Sequence, residues 1–166
     1  MNTYLISENT LKTESYINDN MDSAMILPSI MTAQDMHLQP LIGTNLYNKL
    51  IEMVQNQEVT GPYKMLMDKY IRPFLIYAVM MDIQIPLAFK NRNAGVIQTN
   101  NEYSNNSYMK DVQTLKSYYE SKMNFYGLRM TDWLCANSEH IPEYKIRNDR
   151  SEMMSDPDNY NTGILI

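Results

Sequence analysis

AQDMHLQPLIGTNLYNKL, residues 33 to 50, joins the end of one amphipathic helix to the start of another through a stiff apolar elbow. Pro40 lacks a backbone donor and fixes its own φ, and Gly43 permits a conformation that other residues avoid. Thr44 offers a side-chain oxygen to the first free amides of the helix that follows. Pro40, Gly43 and Thr44 therefore read as a structural elbow. The chemistry is that of a scaffold, not of a catalyst.

Working outward, Met25, Ile26, Ile30, Ala33, Met36 and Leu38 fall on one helical face that starts near Asp22. Leu46, Tyr47, Leu50, Ile51 and Val54 form the face of the next helix, which fades in the polar run Gln55 to Glu58. Thr60-Gly61-Pro62 is a break followed by a helix start. Tyr63, Leu66, Met67, Tyr70, Phe74, Tyr77, Ala78 and Met81 keep the helical spacing through Pro73, which predicts a kinked helix or two abutting helices ending before Pro86. Residues 74 to 81 are apolar almost all round, hence central. Ser107 caps the longest helix, which reaches about Asn137 and spans roughly 45 Å. Its stripe is Val112, Leu115, Tyr119, Met123, Tyr126, Met130, Trp133 and Asn137.

The rest is irregular. Asn2 to Ile6 suits a short strand, and Ser7 can cap a brief helical turn. Lys90 to Asn106 contains six Asn, a residue that competes with the backbone and tolerates left-handed turns, so it reads as a long loop; its middle, Gly95 to Thr99, suits a short strand. After Ser138 periodicity stops until the apolar end Gly163 to Ile166. The expected fold is all-α: a small bundle of about four main helices, a long Asn-rich loop, short terminal strands and an extended C-terminal tail. A helical domain over 1–137 and a tail over 138–166 are the expected divisions.

A chain of 166 residues is long enough for one domain with a real core. Its 5 Gly and 7 Pro are few breakers for this length, consistent with helix. Cys135 stands alone, which excludes an internal disulfide, and a secretory signal peptide is not indicated. The longest apolar stretch, Phe74 to Met81, is far short of the roughly 20 residues a bilayer requires.

Met (15) and Tyr (13) are abundant. Codon bias toward A and T explains this, and so does a need for large, adaptable contact surfaces. The net charge of −5 argues against wrapping nucleic acid. Residues 1 to 58 carry −5, residues 59 to 138 carry +3, and residues 139 to 166 carry −3. Acidic ends and a basic middle suit head-to-tail contact between copies, and they also suit helix surfaces that average out this way by chance.

No motif carries catalysis. Cys135 has His140 nearby in sequence but no basic cluster to lower its pKa. His37 and His140 are the only histidines, too few for an ordinary zinc site, and His140-Ile-Pro-Glu143 lacks the register of a zincin helix. No spacing singles out two of the 19 acids, and no glycine-rich phosphate loop is present. No enzyme activity, cofactor or metal is expected. Lys90 and Arg92, with Asn93 and Tyr103, suit a solvated or subunit-facing loop better than a nucleic-acid site.

Ala33-Gln-Asp, the LQPLIGTxLYxKL elbow, Asp68-Lys-Tyr-Ile-Arg-Pro73, the Asn-rich loop, the Tyr-rich helix and the closing Thr162-Gly-Ile-Leu-Ile166 resemble head-tail connector (adaptor, or ring) proteins of tailed phages of Bacteroides-type hosts, including crAss-like phages. The likeness covers nearly the whole chain; residues 139 to 161 match only in character. It implies an all-helical virion subunit, assembled in the host cytoplasm, forming a ring, usually dodecameric, at the head-tail neck. The implied partners are further copies of itself, the portal protein, other neck and tail rings, and genomic DNA that passes through without sequence-specific binding. No membrane is involved. On this resemblance Lys90, Arg92, Asn93, Tyr103, Gly163, Ile164, Leu165 and Ile166 are expected at subunit or portal interfaces. The 90–106 loop is expected to order on assembly, and Gly163 to Ile166 to add as a strand to an N-terminal strand of its own or a neighbouring chain. The competing reading is a monomeric phage-encoded module that binds a host protein.

Overall fold

The computed structural model describes residues 3–17, 21–92, 95–98 and 107–144. The chain is all-α apart from one two-stranded hairpin. Ser7 starts α1 (Glu8–Glu14), its hydroxyl accepting from the Thr10 amide, and Glu8 pairs with Lys12 one turn on at 2.7 Å. Asp22 starts α2 (Ser23–Thr32) by accepting from the Ala24 amide. α2 then runs without interruption through a π-helical turn, π1 (Ala33–Leu38), into α3 (Gln39–Ile42).

The elbow lies later and is tighter than the sequence suggests. Pro40 sits inside the helical path; the break comes at Gly43, with φ 82 and ψ 154. That region is essentially open to glycine alone, and Gly43 is buried within it. α4 (Thr44–Gln55) begins on Thr44 itself, so the cap position falls to Gly43, which has no side chain, and no side-chain cap forms. The Thr44 hydroxyl instead accepts from the Gln39 amide side chain at 3.2 Å. The expectation that Thr44 caps the helix is thus corrected by one residue of register.

α5 (Gly61–Leu66) passes through a second π turn, π2 (Met67–Ile71), into α6 (Arg72–Asp82). Both π turns precede a proline by the same interval. The Gln39 amide reaches back to the Gln34 carbonyl just before Pro40, and the Arg72 amide to the Met67 carbonyl just before Pro73. A proline ring in an α-helix strikes the carbonyl four residues back. Widening the preceding turn to a five-residue step relieves that clash without ending the helix. The kink expected at Pro73 is therefore a π turn.

α7 (Gln84–Ala88) leads into β1 (Phe89–Arg92), which pairs antiparallel with β2 (Gly95–Gln98), Lys90 opposite Ile97 and Arg92 opposite Gly95. The expected loop from Lys90 thus opens as a hairpin; residues 99–106 lie outside the described residues. α8 (Ser107–Ala136), 30 residues long, follows. The expected strand over Asn2 to Ile6 is not formed at residues 3–6. Leu5 and Ile6 are buried one by one against the helices, and a side-chain amide takes the place of a ladder partner.

The core centres on α6, where Phe74, Leu75, Ile76, Ala78, Val79, Met80 and Met81 are all buried. α8 packs along α6, with α2 and π1 against it as well. Beyond α8, Ile141 and Tyr144 are buried too, and Tyr63 of α5 donates to the Glu143 carboxylate at 2.6 Å. Packing therefore continues through Tyr144; residues 145–166, including Gly163, Ile164, Leu165 and Ile166, lie outside the described residues.

Gly43 gives the first prediction. A valine there must hold a conformation that costs about 1–3 kcal/mol or unseat the start of α4. Gly43→Val should lower the urea midpoint markedly, and an unchanged midpoint would contradict this reading of the turn.

Candidate functional site

Two features of the surface and near-surface structure stand out: a buried polar knot at π1 and an apolar face left open on α8. The knot begins with Gln34, which is fully buried. Its Oε1 accepts from the Leu5 amide at 2.7 Å, and its Nε2 donates to the Thr3 carbonyl at 3.2 Å and to the Tyr47 hydroxyl at 3.4 Å. Tyr47 in turn donates to the Asp35 carboxylate at 2.8 Å, and Gln55 donates to the Thr3 hydroxyl at 2.6 Å. Burial pushes the Tyr47 hydroxyl up to about 12, with Asp35 acting in the same direction against the Gln34 amide. Tyr47 therefore remains a donor throughout the neutral range.

The neighbouring residues of π1 point elsewhere. His37 Nε2 lies 3.1 Å from Asp82 Oδ2, linking π1 to the end of α6. Met36 stands outside at 66% exposure, beside the exposed Asp35. Met36, expected on the core stripe, is corrected to the surface: it lies within π1, whose wider turn rotates it off the α-helical stripe, and Leu38 fills the interior instead.

α8 carries two adjacent stripes. The inner one buries Tyr119, Met123, Met130 and Leu134, with Tyr126 and Trp133 partly covered. Tyr126 stacks on Tyr77 of α6 at 5.4 Å between ring centroids, and Trp133 stacks on Tyr70 of π2 at 5.0 Å. The outer one, Leu115, Tyr118, Lys122, Phe125 and Arg129, repeats at alternating steps of three and four. Leu115 is 41% exposed, Tyr118 47% and Phe125 59%. Leu115, expected on the inner stripe, is corrected to the outer one, because α8 extends beyond the core at this end. Tyr16, 80% exposed at the end of the α1 segment, lies close enough to Tyr77 and Tyr119 to help hold their hydroxyls protonated, after burial. Lys122 lies over the Tyr118 ring at 5.5 Å and Arg129 over Tyr70 at 5.4 Å. An open groove of about 500 Å³, almost wholly apolar, runs along Asp111, Thr114, Leu115 and Tyr118.

The residues singled out in the sequence do not converge. Pro40, Gly43 and Thr44 are scaffold at the π1 to α4 junction. Lys90 and Arg92 lie on β1, while Asn93 and Tyr103 lie outside the described residues. The sulfur of the exposed Cys135 is 3.8 Å from the Tyr144 hydroxyl. Among the described residues no group of three or more His, Cys, Asp or Glu is placed to hold a metal ion, and no helix is long and apolar enough to cross a membrane. The outer stripe of α8 and the Gln34 knot were missed. The stripe's signal was present as the 115, 118, 122, 125, 129 spacing, obscured because the inner stripe shares the same helix.

Residues 38–152, from the end of π1 past the end of α8, match DUF6712, described as a family of unknown function. The chain belongs to the DUF6712 family. No curated protein and no solved structure matches it. The DUF6712 match takes in Gly43, Tyr47, both hairpin strands and both stripes of α8; Gln34 and the arm it holds precede it.

The knot yields two expectations. Gln34→Leu keeps the volume but strands the Leu5 amide and the Thr3 carbonyl, at about 1–3 kcal/mol for each group left unpaired. The variant should unfold at lower urea and lose its N-terminal arm first in limited proteolysis; wild-type behaviour in both would contradict the knot. Alkali gives the second. An unfolded tyrosine ionises near 10 and Tyr47 in the fold near 12, so stability is full below pH 10 and falls as pH rises toward 12. That fall should be smaller in Tyr47→Phe, as followed by urea titration at each pH.

Proposed function

We propose that this protein is a subunit of a head-tail connector ring, placed beneath the portal of a tailed phage, and that its role is structural. The observation that carries the reading is the open aromatic face of α8, where Tyr118 and Phe125 remain in water on the same stripe as Leu115. Tyr and Phe are enriched at protein interfaces, and a contiguous apolar patch on an otherwise well-packed subunit marks a contact surface. The resemblance of the LQPLIGTxLYxKL elbow to connector proteins supplies the kind of assembly.

The fold suits such a part. α8 packs along α6 and π2, its Tyr126 and Trp133 stacked on Tyr77 and Tyr70, so that a helix of roughly 45 Å presents the contact face. The negative net charge suits a channel that lets DNA slide without gripping it. Lys90 and Arg92 at the hairpin and Gly163 to Ile166 at the chain end are proposed as contacts to the portal or to the next subunit.

The reading is tested by mixing the purified chain with the portal protein of the same genome and imaging the product by electron microscopy. Closed rings seated on the portal are expected. Deleting residues 162–166 should leave the helical circular dichroism intact and reduce the number of seated rings. A chain that never associates with the portal, and instead pulls a host protein from lysate as a monomer, would replace this reading with that of a host-binding module.

A further inference from the structure

We infer that the outer stripe of α8 is the seat for a second copy of this chain, and that the copy docks through its acidic first third, with Met36 and Asp35 of π1 entering at Leu115 and Tyr118. This deepens the ring reading and rests on it only for the expectation that copies meet in series.

Charge gives the choice of occupant. Lys110, Lys116, Lys122 and Arg129 of α8 make no ion pair with a carboxylate among the described residues. Lys12, Lys49 and Arg72 each face one in their own chain, and among the described residues Lys64 and Lys69 of α5 and π2 do not; the α8 cations differ from these two in lying on the helix that carries the open aromatic stripe. The first 58 residues carry a net −5 and residues 59 to 138 a net +3. Opposite net charges on two segments of one chain favour a heterologous contact between unlike surfaces. An isologous α8 to α8 pairing would instead set Lys122 and Arg129 of one copy against the same cations of the other. Nucleic acid could stack on these rings, but it would have to approach a chain of net −5.

Shape narrows the contact. The groove along Asp111, Thr114, Leu115 and Tyr118 is almost wholly apolar and unfilled by the described residues, with its one carboxylate, Asp111, at the end away from Lys122, which lies one turn beyond Tyr118. Met36 is an exposed, flexible apolar side chain with a carboxylate next to it, held on a helical turn that Gln34 fixes from behind. Asp35 already accepts from Tyr47, yet a carboxylate has further acceptor sites free for a cation. A methionine seated between Leu115 and Tyr118, with Asp35 toward Lys122, satisfies both the apolar surface and the charge.

The test uses the full chain with Leu115→p-benzoylphenylalanine, checked for wild-type circular dichroism, and irradiated at high concentration in low salt with a mixed-sequence single-stranded oligonucleotide present. Cross-linked dimers whose second attachment maps to the first third of the chain, around Met36, are expected, and they should diminish in high salt. Monomer only, cross-links from α8 to α8, or cross-links mainly to the oligonucleotide would each overturn the inference. In sedimentation equilibrium Lys122→Glu with Arg129→Glu should weaken self-association by about tenfold or more, whereas Lys64→Glu on α5 should not. Equal effects from both would overturn it as well. Rings on the portal with cross-links elsewhere remove this interface and leave the ring; Met36 cross-links without rings on the portal do the reverse.

Discussion

One buried side-chain amide holds the N-terminal arm to the helical body. Ordering residues 3 to 6 costs about 1–2 kcal/mol each in backbone entropy, and covering Leu5 and Ile6 contributes about 1.5–3 kcal/mol each. Those terms nearly cancel, so the hydrogen bonds of Gln34 to the Leu5 amide and the Thr3 carbonyl decide whether the arm docks. Because Gln34 also donates to Tyr47, and Tyr47 to Asp35, the same knot fixes α4 against π1. The turn that presents Asp35 and Met36 is thereby rigid on its inner side and open on its outer side.

Much of this was legible in the chain. The helices around Leu46, Tyr47 and Leu50, the central burial of residues 74 to 81 and the long helix from Ser107 follow from spacing alone, because amphipathic periodicity reports burial directly. The two π turns did not show. A five-residue step leaves no mark in a count of threes and fours, and only the proline that follows each one hints at it. The N-terminal strand failed for a related reason: a short apolar run says that residues are buried, not that a neighbouring strand covers them. Here a glutamine did so from 29 residues away.

The site was harder to read than the fold. Gln34 looks like an ordinary polar helix residue, and its burial depends on partners distant in sequence. The outer stripe of α8 was hidden because two stripes share one helix, and an all-round scatter of Tyr, Met and Leu has little net periodicity. Sequence charge gives the sum over a segment without any knowledge of contacts. It could not place Met36 outside and Leu115 beside an unfilled groove.

Native-state hydrogen exchange at the Leu5 amide tests the central claim most directly, because that proton is shared with Gln34 and with no strand. Protection approaching that of the α6 amides, and lost in Gln34→Leu while α6 stays protected, is the result this account predicts. Exchange of Leu5 at the rate of a frayed terminus in the unaltered protein would contradict it.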